Sequence, residues 1–245
     1  MRDLKTKTTI LVSVNRAGTA SGNGNSFIAV LSAKGRRLAF ASDASDLVAN
    51  DTNGATDIFV RDLKTGTATL ASVNDAGTAS GNNFSLLPAL SANGRRVAFA
   101  SDASDLAAND TNGTTDLFVH DLKTKTTTLV SVNSAGTASG NSASGFTDPP
   151  ALSANGRFVA FVSAASDLAA NDTNRVGDLF VRDLKTGTTT LVSVNRAGTA
   201  SGNGFSFLSP ALSANGRRVA FASDASDLVA NGTNGVGDLF ARPIP

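Results

Sequence analysis

The sequence predicts an all-β fold, and three observations carry that expectation. The chain is a tandem repeat: LSANGRRVAFAS at residues 90–101 has close copies at residues 31–42, 152–163 and 212–223, and their shared glycine (Gly35, Gly94, Gly156, Gly216) sets a period of about 60 residues. All 20 acidic residues are Asp, and the chain has no Glu or Gln, so good helix formers are missing while Thr, Ser, Asn, Asp and Gly abound. No stretch carries the 3.6-residue apolar period of a helix; short Val, Phe and Ala runs bounded by turn residues recur instead.

Each element of the repeat follows from its residues. In the second copy, residues 84–90 lead into Ser91, Ala92, Asn93 and Gly94, and residues 95–101 alternate Val97 and Phe99 with Ala98 and Ala100, a hairpin of strands A and B. Asn-Gly offers the two positive-φ residues of a type I′ turn, and the other copies keep it at Asn155 and Gly156, at Asn215 and Gly216, or nearly so at Lys34 and Gly35. A polar segment, residues 102–115, precedes DLFVHDL at residues 116–122, whose β-branched and aromatic side chains make strand C. The next turn carries Gly66 in the first repeat and Gly187 in the third, at a left-handed position; Lys125 and Lys7 stand there in the second repeat and near the N-terminus, at a cost of up to about 1 kcal/mol each. Strand D is Thr-rich (residues 8–14, 67–73, 126–132 and 188–194) and suits an edge, where backbone groups face water. Each period thus encodes a four-stranded antiparallel sheet, A-B-C-D, with D outermost.

Four such sheets in tandem match the blades of a four-bladed β-propeller, expected as one domain over residues 1–245. Its blades fall at about residues 25–74, 84–133, 147–195 and 205–242, the last completed by residues 2–15. Residues 2–6 align with residues 61–65, so the chain opens at the end of a strand C and supplies a strand D, whereas its last blade stops after strand C at residues 238–242 and Pro243. Pairing residues 8–14 with 238–242 would close the ring. A monomer is expected, with a strand-sharing dimer forming an eight-bladed ring as the alternative.

The pattern ALSANGRRVAFAS followed by DLFVxDLKTG resembles the repeat of TolB-like, WD-like bacterial β-propellers, in a variety with DTNG before strand C, over essentially the whole chain. The resemblance implies a propeller serving as a periplasmic binding protein, a peptidase-attached domain or a module without an assigned role, and a periplasmic or extracellular origin. The residues themselves do not assign a compartment, since there are no cysteines. Residues 1–5 lack the apolar core of a secretory signal and no run reaches bilayer length, so a soluble chain without a membrane partner is expected. A net charge of +1 with interspersed signs and Phe as the only aromatic argue against nucleic acid.

The D-to-A and B-to-C connections of a blade emerge on one face, so both long loops lie there: AGTASGN (residues 17–23, 76–82, 135–141 and 197–203) and the Asp-rich segment before strand C. The candidate metal site is Asp51, Asn53 and Asp57, with copies Asp110, Asn112, Asp116 and Asp172, Asn174, Asp178. Oxygen donors two and then four residues apart around a tight turn suit Ca²⁺. The match is partial: Ala49 stands where a first Asp would, Arg175 replaces the glycine, and Gly232 replaces the Asp of the fourth copy. The alternative is structural, with Asx turns at Asp51 and Asn53 and a strand-starting role for Asp57. Asp46, Asp105, Asp167 and Asp227 are open to the same two readings, with a structural partner such as Arg36, Arg95, Arg157 or Arg217 expected, and His120, which replaces an arginine found at Arg61, Arg182 and Arg242, is expected at the surface. With no Cys, one His and no G-x-S-x-G, no hydrolytic triad assembles, and the glycine-rich loop lacks the helix and Lys of a phosphate cradle. The expected function is a non-enzymatic binding or scaffold module, taking a protein or small polar ligand at the long-loop face and needing no cofactor. The alternatives are a Ca²⁺-dependent binder of polar ligands such as glycans, or the accessory propeller of a larger hydrolase.

Overall fold

The computed structural model describes residues 7–145, 147–232 and 235–244. These form four antiparallel sheets and no helix. The first sheet is β1 (Ser26–Leu31), β2 (Arg37–Ser42), β3 (Asp57–Asp62) and β4 (Thr67–Leu70); the second is β5 (Ser85–Leu90), β6 (Arg96–Ser101), β7 (Asp116–Asp121) and β8 (Thr126–Leu129). The third is β9 (Ala151–Leu152), β10 (Phe158–Ser163), β11 (Asp178–Asp183) and β12 (Thr188–Leu191); the fourth is β13 (Ser206–Leu212), β14 (Arg218–Ser223) and β15 (Asp238–Pro243). Strands pair in chain order in every sheet, giving the A-B-C-D meander of a propeller blade in the first three and A-B-C among the described residues of the fourth.

Two faces of unlike texture hold successive sheets together. On one face the second and third strands stack a cross-strand phenylalanine pair: Phe40–Phe59, Phe99–Phe118, Phe161–Phe180 and Phe221–Phe240, with ring centroids 5.7–6.1 Å apart. The other face is smoother, with Ala39, Ala41, Ile58 and Val60 in the first sheet and Ala98, Leu117 and Val119 in the second. Between the first two sheets, Ala39, Ala41, Ile58, Val60 and Ala71 pack on Val97, Phe99, Phe118 and Leu129. The next seam repeats this with Ala98, Leu117, Val119 and Val130 on Val159, Phe161, Phe180 and Leu191, and the third with Ala160, Leu179, Val181 and Val192 on Val219 and Phe221. Alanine at the contact lets the sheets approach closely, while the phenylalanines are among the largest fully buried side chains.

The connection between the first two strands differs from the expected type I′ turn. Gly94 N–H donates to Ser91 O at 2.7 Å, with Ala92 and Asn93 as the central residues, and only Gly94 takes positive φ, at 71°. The Asn93 side chain accepts the Arg95 N–H at 2.9 Å, so asparagine serves through its side chain and need not be left-handed itself. Strand A is also irregular: Ile28, Leu87 and Leu208 have φ of 50–65°, and the register of β1, β5 and β13 shifts at these points.

No strand pairing joins residues 8–14 to residues 238–242 among the described residues, which show four sheets and no pairing that closes the expected ring. The alignment of residues 2–6 with a strand C end lies outside the described residues. Instead, Val12 rests on the phenylalanine face of the first sheet, beside Leu38, Phe40 and Phe59. This is the place that Ala71 takes on the second sheet.

The turn after strand C is as expected, with Gly66 and Gly187 at φ of 74° and 72° and Lys125 forced to 59°. Replacing Lys125→Gly is expected to raise stability by up to about 1 kcal/mol in urea denaturation, the relief of a left-handed side chain offset by greater freedom of the unfolded chain. A loss of stability would contradict the assignment of strain to this turn.

Candidate functional site

The long loops lie on one face, as expected, and they hold one another. Asn82 of the D-to-A loop accepts from Ser104 N–H, donates to the Ser104 hydroxyl at 2.9 Å, and gives its own N–H to Asp105 at 2.9 Å. Asn23 with Asp46, Asn141 with Asp167, and Asn203 with Asp227 repeat this clasp. These aspartates therefore cap loop backbone and do not pair with the turn arginines. Arg36, Arg95 and Arg157 pair instead with Asp62, Asp121 and Asp183 at the end of strand C, at 3.0, 2.8 and 2.5 Å. In the fourth sheet Pro243 occupies that acidic position, which leaves Arg217 without the equivalent carboxylate. Gly81 must be glycine, because a Cβ there would lie 2.7 Å from Leu106 Cδ2 and 2.8 Å from Ala103 Cβ.

The D-T-N loop is built by the same logic. Thr52 and Asn53 N–H groups donate to Ser80 Oγ at 2.9 and 3.1 Å, and the Asn53 amide donates to Gly81 O at 2.7 Å while accepting Ala55 N–H at 2.8 Å. Asn112 and Asn174 do the same with Gly140 and Thr114, and with Gly202 and Val176. Each asparagine is thus an Asx turn stapled to the loop that enters the next sheet.

The aspartates are otherwise placed. Asp57 opens strand C fully buried; its Oδ1 accepts from the Ser72 hydroxyl, which in turn accepts Ile58 N–H at 2.9 Å, and its Oδ2 has no hydrogen-bond partner. Asp116 with Ser131 and Asp178 with Ser193 reproduce the arrangement, each again with Oδ2 unpartnered. Beside Asp57, Asp51 is also buried, with both oxygens unpartnered; Asp172 repeats this, and Asp110 does so through Oδ1. Asp110 and Asp172 feel the nearby Asn amide N–H and Ser hydroxyl without a bond of normal geometry from those unpartnered oxygens. In the first three blades the structure therefore brings the two predicted aspartates together, while the asparagine spends its hydrogen bonds on loop backbone and its amide also lies close enough to Asp57, Asp116 and Asp178 to lower them a little.

Burial dominates the electrostatics. Desolvation pushes Asp57 up to about 7 against the opposing bond from Ser72, with the charge of Asp51 raising it further; Asp116 and Asp178 also rise to about 7, and Asp51 to about 6 by burial alone. Asp110 and Asp172 are raised by burial as well. Asp183 is held low by its hydrogen bond from Arg157, and Asp62 and Asp121 are held low by Arg36 and Arg95 in spite of burial. His120 is a correction to expectation: it is 2% exposed, with Nδ1 3.0 Å from Thr127 Oγ1, because strand alternation puts it on the same face as Asp116 and Phe118, under the outer strand of the preceding sheet. Burial pushes it down to about 4.

These shifts fix a pH dependence. The raised carboxyls make the folded chain bind more protons than the unfolded chain between about pH 4 and pH 7, so their contribution falls as pH rises through that window. The arginine-paired aspartates lose their stabilising effect only below about pH 4, and His120 opposes the carboxyls between its ordinary value and about 4, one group against several. The melting temperature is expected to fall from about pH 5 to about pH 8, and Asp116→Asn to lessen that fall; a rise over this range would contradict the assignment.

No protein-family model matches the chain, and no curated protein matches it by sequence. Solved structures are similar in shape. The tricorn protease aligns over 87% of this chain and 17% of its own at 19% identity, with a TM-score of 0.53. Dipeptidyl peptidase 4 from Porphyromonas gingivalis aligns over 86% and 30% at 15% identity, with a TM-score of 0.51. TolB from Acinetobacter baumannii aligns over 90% and 44% at 16% identity, with a TM-score of 0.48. The chain spans less than half the length of each of these proteins. At such identities likeness speaks to fold alone. The A-B-C-D sheets and the two likenesses above 0.5 make this chain a β-propeller module, consistent with the TolB-like repeat that its sequence resembles.

Proposed function

We propose that the chain is a non-enzymatic propeller module that presents its long-loop face as a preformed surface for a protein or a small polar ligand. What supports this reading is the mutual stapling of the loops: in successive sheets the same Asn, Asp and Ser groups satisfy one another, so the face is ordered before any partner arrives, and ordering costs little on binding. The one histidine is buried under a neighbouring sheet and stands as packing, not as an acid or base at an open cleft. Assays with peptide, ester and oligosaccharide substrates are expected to show no turnover; turnover abolished by Asp51→Asn or His120→Ala would overturn the reading.

A second reading, Ca²⁺ held at the D-T-N loops, is favoured by one observation. Asp51 and Asp57, and their copies, carry carboxylate oxygens that are buried and without hydrogen-bond partners, an arrangement that either retains a proton or takes a cation. Among the described residues no group of three or more acids, histidines or cysteines gathers, so each loop would supply two carboxylates. The rest of the ~6–8 oxygens would come from backbone, water or the hydroxyls of a bound glycan. Ca²⁺ requires the ionised form, so the melting temperature at about pH 8 is expected to rise with Ca²⁺, to return with EDTA, and to stay unmoved when Asp51→Asn, Asp110→Asn and Asp172→Asn are combined. No Ca²⁺-dependent shift in the parent chain would remove this second reading and leave the first.

A further inference from the structure

A half-buried guanidinium in the third sheet has no counter-charge. Strand alternation sets Arg182 two residues beyond Phe180, on the face of β11 that packs against the second sheet. Its Nη1 donates to Thr189 Oγ1 at 2.8 Å, its Nε is buried without a partner, and no ion pair to it forms among the described residues. Burial lowers it from the ordinary guanidinium value, and no carboxylate offsets that effect. Its counterpart in the fourth sheet is engaged instead: Arg242 donates to Val192 O and Val194 O at 2.9 and 3.2 Å.

Arg182 lines a cavity of about 350 Å³, within the size range of small-ligand sites. Ser134 of the loop entering the third sheet, Asn171 of its B-to-C loop and Thr188 at the start of β12 line it as well. Elsewhere in these loops asparagine is spent on backbone, as Asn174 is on Gly202 O at 2.7 Å. The side chains of Asn171 and Ser134, by contrast, make no hydrogen bond among the described residues. Gly187, at φ of 72°, also lines the cavity, and a Cβ there would stand 3.8 Å from Arg182 Nη2, so the glycine leaves that edge of the guanidinium uncovered. A cavity of about 370 Å³ in the first sheet repeats the pattern with Arg61 and Gly66. The second sheet departs from it, with His120 in the place of the arginine and Lys125 in that of the glycine.

We propose that the cavity beside Arg182 binds a small hydroxylated carboxylate, its anionic end on the guanidinium and its hydroxyls on Asn171 and Ser134. A charge-assisted bond from Arg182 gives the carboxylate its place and supplies the counter-charge that the chain does not. The amide of Asn171 and the hydroxyl of Ser134 both donate and accept, as a ligand hydroxyl requires. A bare inorganic anion would leave these two groups unused. The inference rests on the reading of the chain as a binding module and names a ligand class for it, at a place separate from the D-T-N carboxyls. Its failure leaves that reading standing, because that reading falls only on turnover.

The test starts from an Arg61→Met chain, so that binding reports on the cavity beside Arg182. Calorimetric titration with sodium gluconate is expected to show saturable binding. Sorbitol, its uncharged counterpart, and inorganic phosphate are each expected to bind at least about tenfold more weakly. Adding Arg182→Met is expected to weaken gluconate at least about tenfold with the β-sheet circular dichroism retained, and Arg182→Lys to restore part of the affinity. Asn171→Leu, in a loop, is expected to weaken gluconate while leaving phosphate unchanged. No gluconate binding, or an affinity indifferent to Arg182→Met, overturns the proposal. Phosphate or sorbitol binding as well as gluconate overturns the hydroxylated carboxylate as the ligand.

Discussion

The structure depends on one contact, repeated: the alanine-rich face of each sheet laid against the phenylalanine pair of the next. Within a sheet, strand pairing satisfies the backbone but buries little apolar surface, and a lone four-stranded sheet of such small residues would be marginal. Stability in such an array comes from nearest-neighbour seams, as in other repeat proteins. The consequence is visible strand by strand, since every residue of β7, flanked on both sides, is buried, whereas exposed and half-buried residues alternate along β15, which has a neighbour on one face only.

The polar layer on the long-loop side is a product of the same geometry. Close approach of sheets brings each D-to-A loop over the preceding B-to-C loop, and the glycine at Gly81 exists because Leu106 and Ala103 come within a bond length or two of where its Cβ would be. Loops held at that distance bury their polar groups, so asparagine and serine are used to satisfy backbone, and the carboxyls at the start of strand C lose their water. Asp57, Asp116 and Asp178 are raised chiefly for that reason, with the charge of Asp51, Asp110 and Asp172 adding to it. The features that first suggest a metal loop are therefore also the features of a loop sealed from solvent, and only the unpartnered carboxylate oxygens separate the two readings.

Much of the fold was legible because it is periodic. The Gly66 and Lys125 turn, the Thr-rich outer strand and the common side of the long loops all follow from local chemistry repeated about every 60 residues. What the sequence did not reveal depends on contacts between sheets. His120 read as surface because its counterparts are arginines, yet arginine there also folds back onto its own sheet, as Arg182 does when it donates to Thr189 of the paired strand at 2.8 Å. Asp105 read as an arginine partner because both recur in each repeat, but the arginine finds Asp121 across the strand pair first, leaving Asp105 for the loop backbone. The turn at Asn93 and Gly94 read as type I′ from its dipeptide, although a side-chain bond to Arg95 gives asparagine another use. Ring closure is a matter of accumulated angle, which no single repeat encodes.

The most direct test of this account is the equilibrium denaturation of Ala98→Leu, at a fully buried position where the second sheet meets the third. If the close seam governs stability, the added methylenes and methyls cannot be accommodated, and a loss of about 1–3 kcal/mol is predicted. An unchanged or increased stability would show that the sheets are not held at the distance their alanines allow, and would contradict the account.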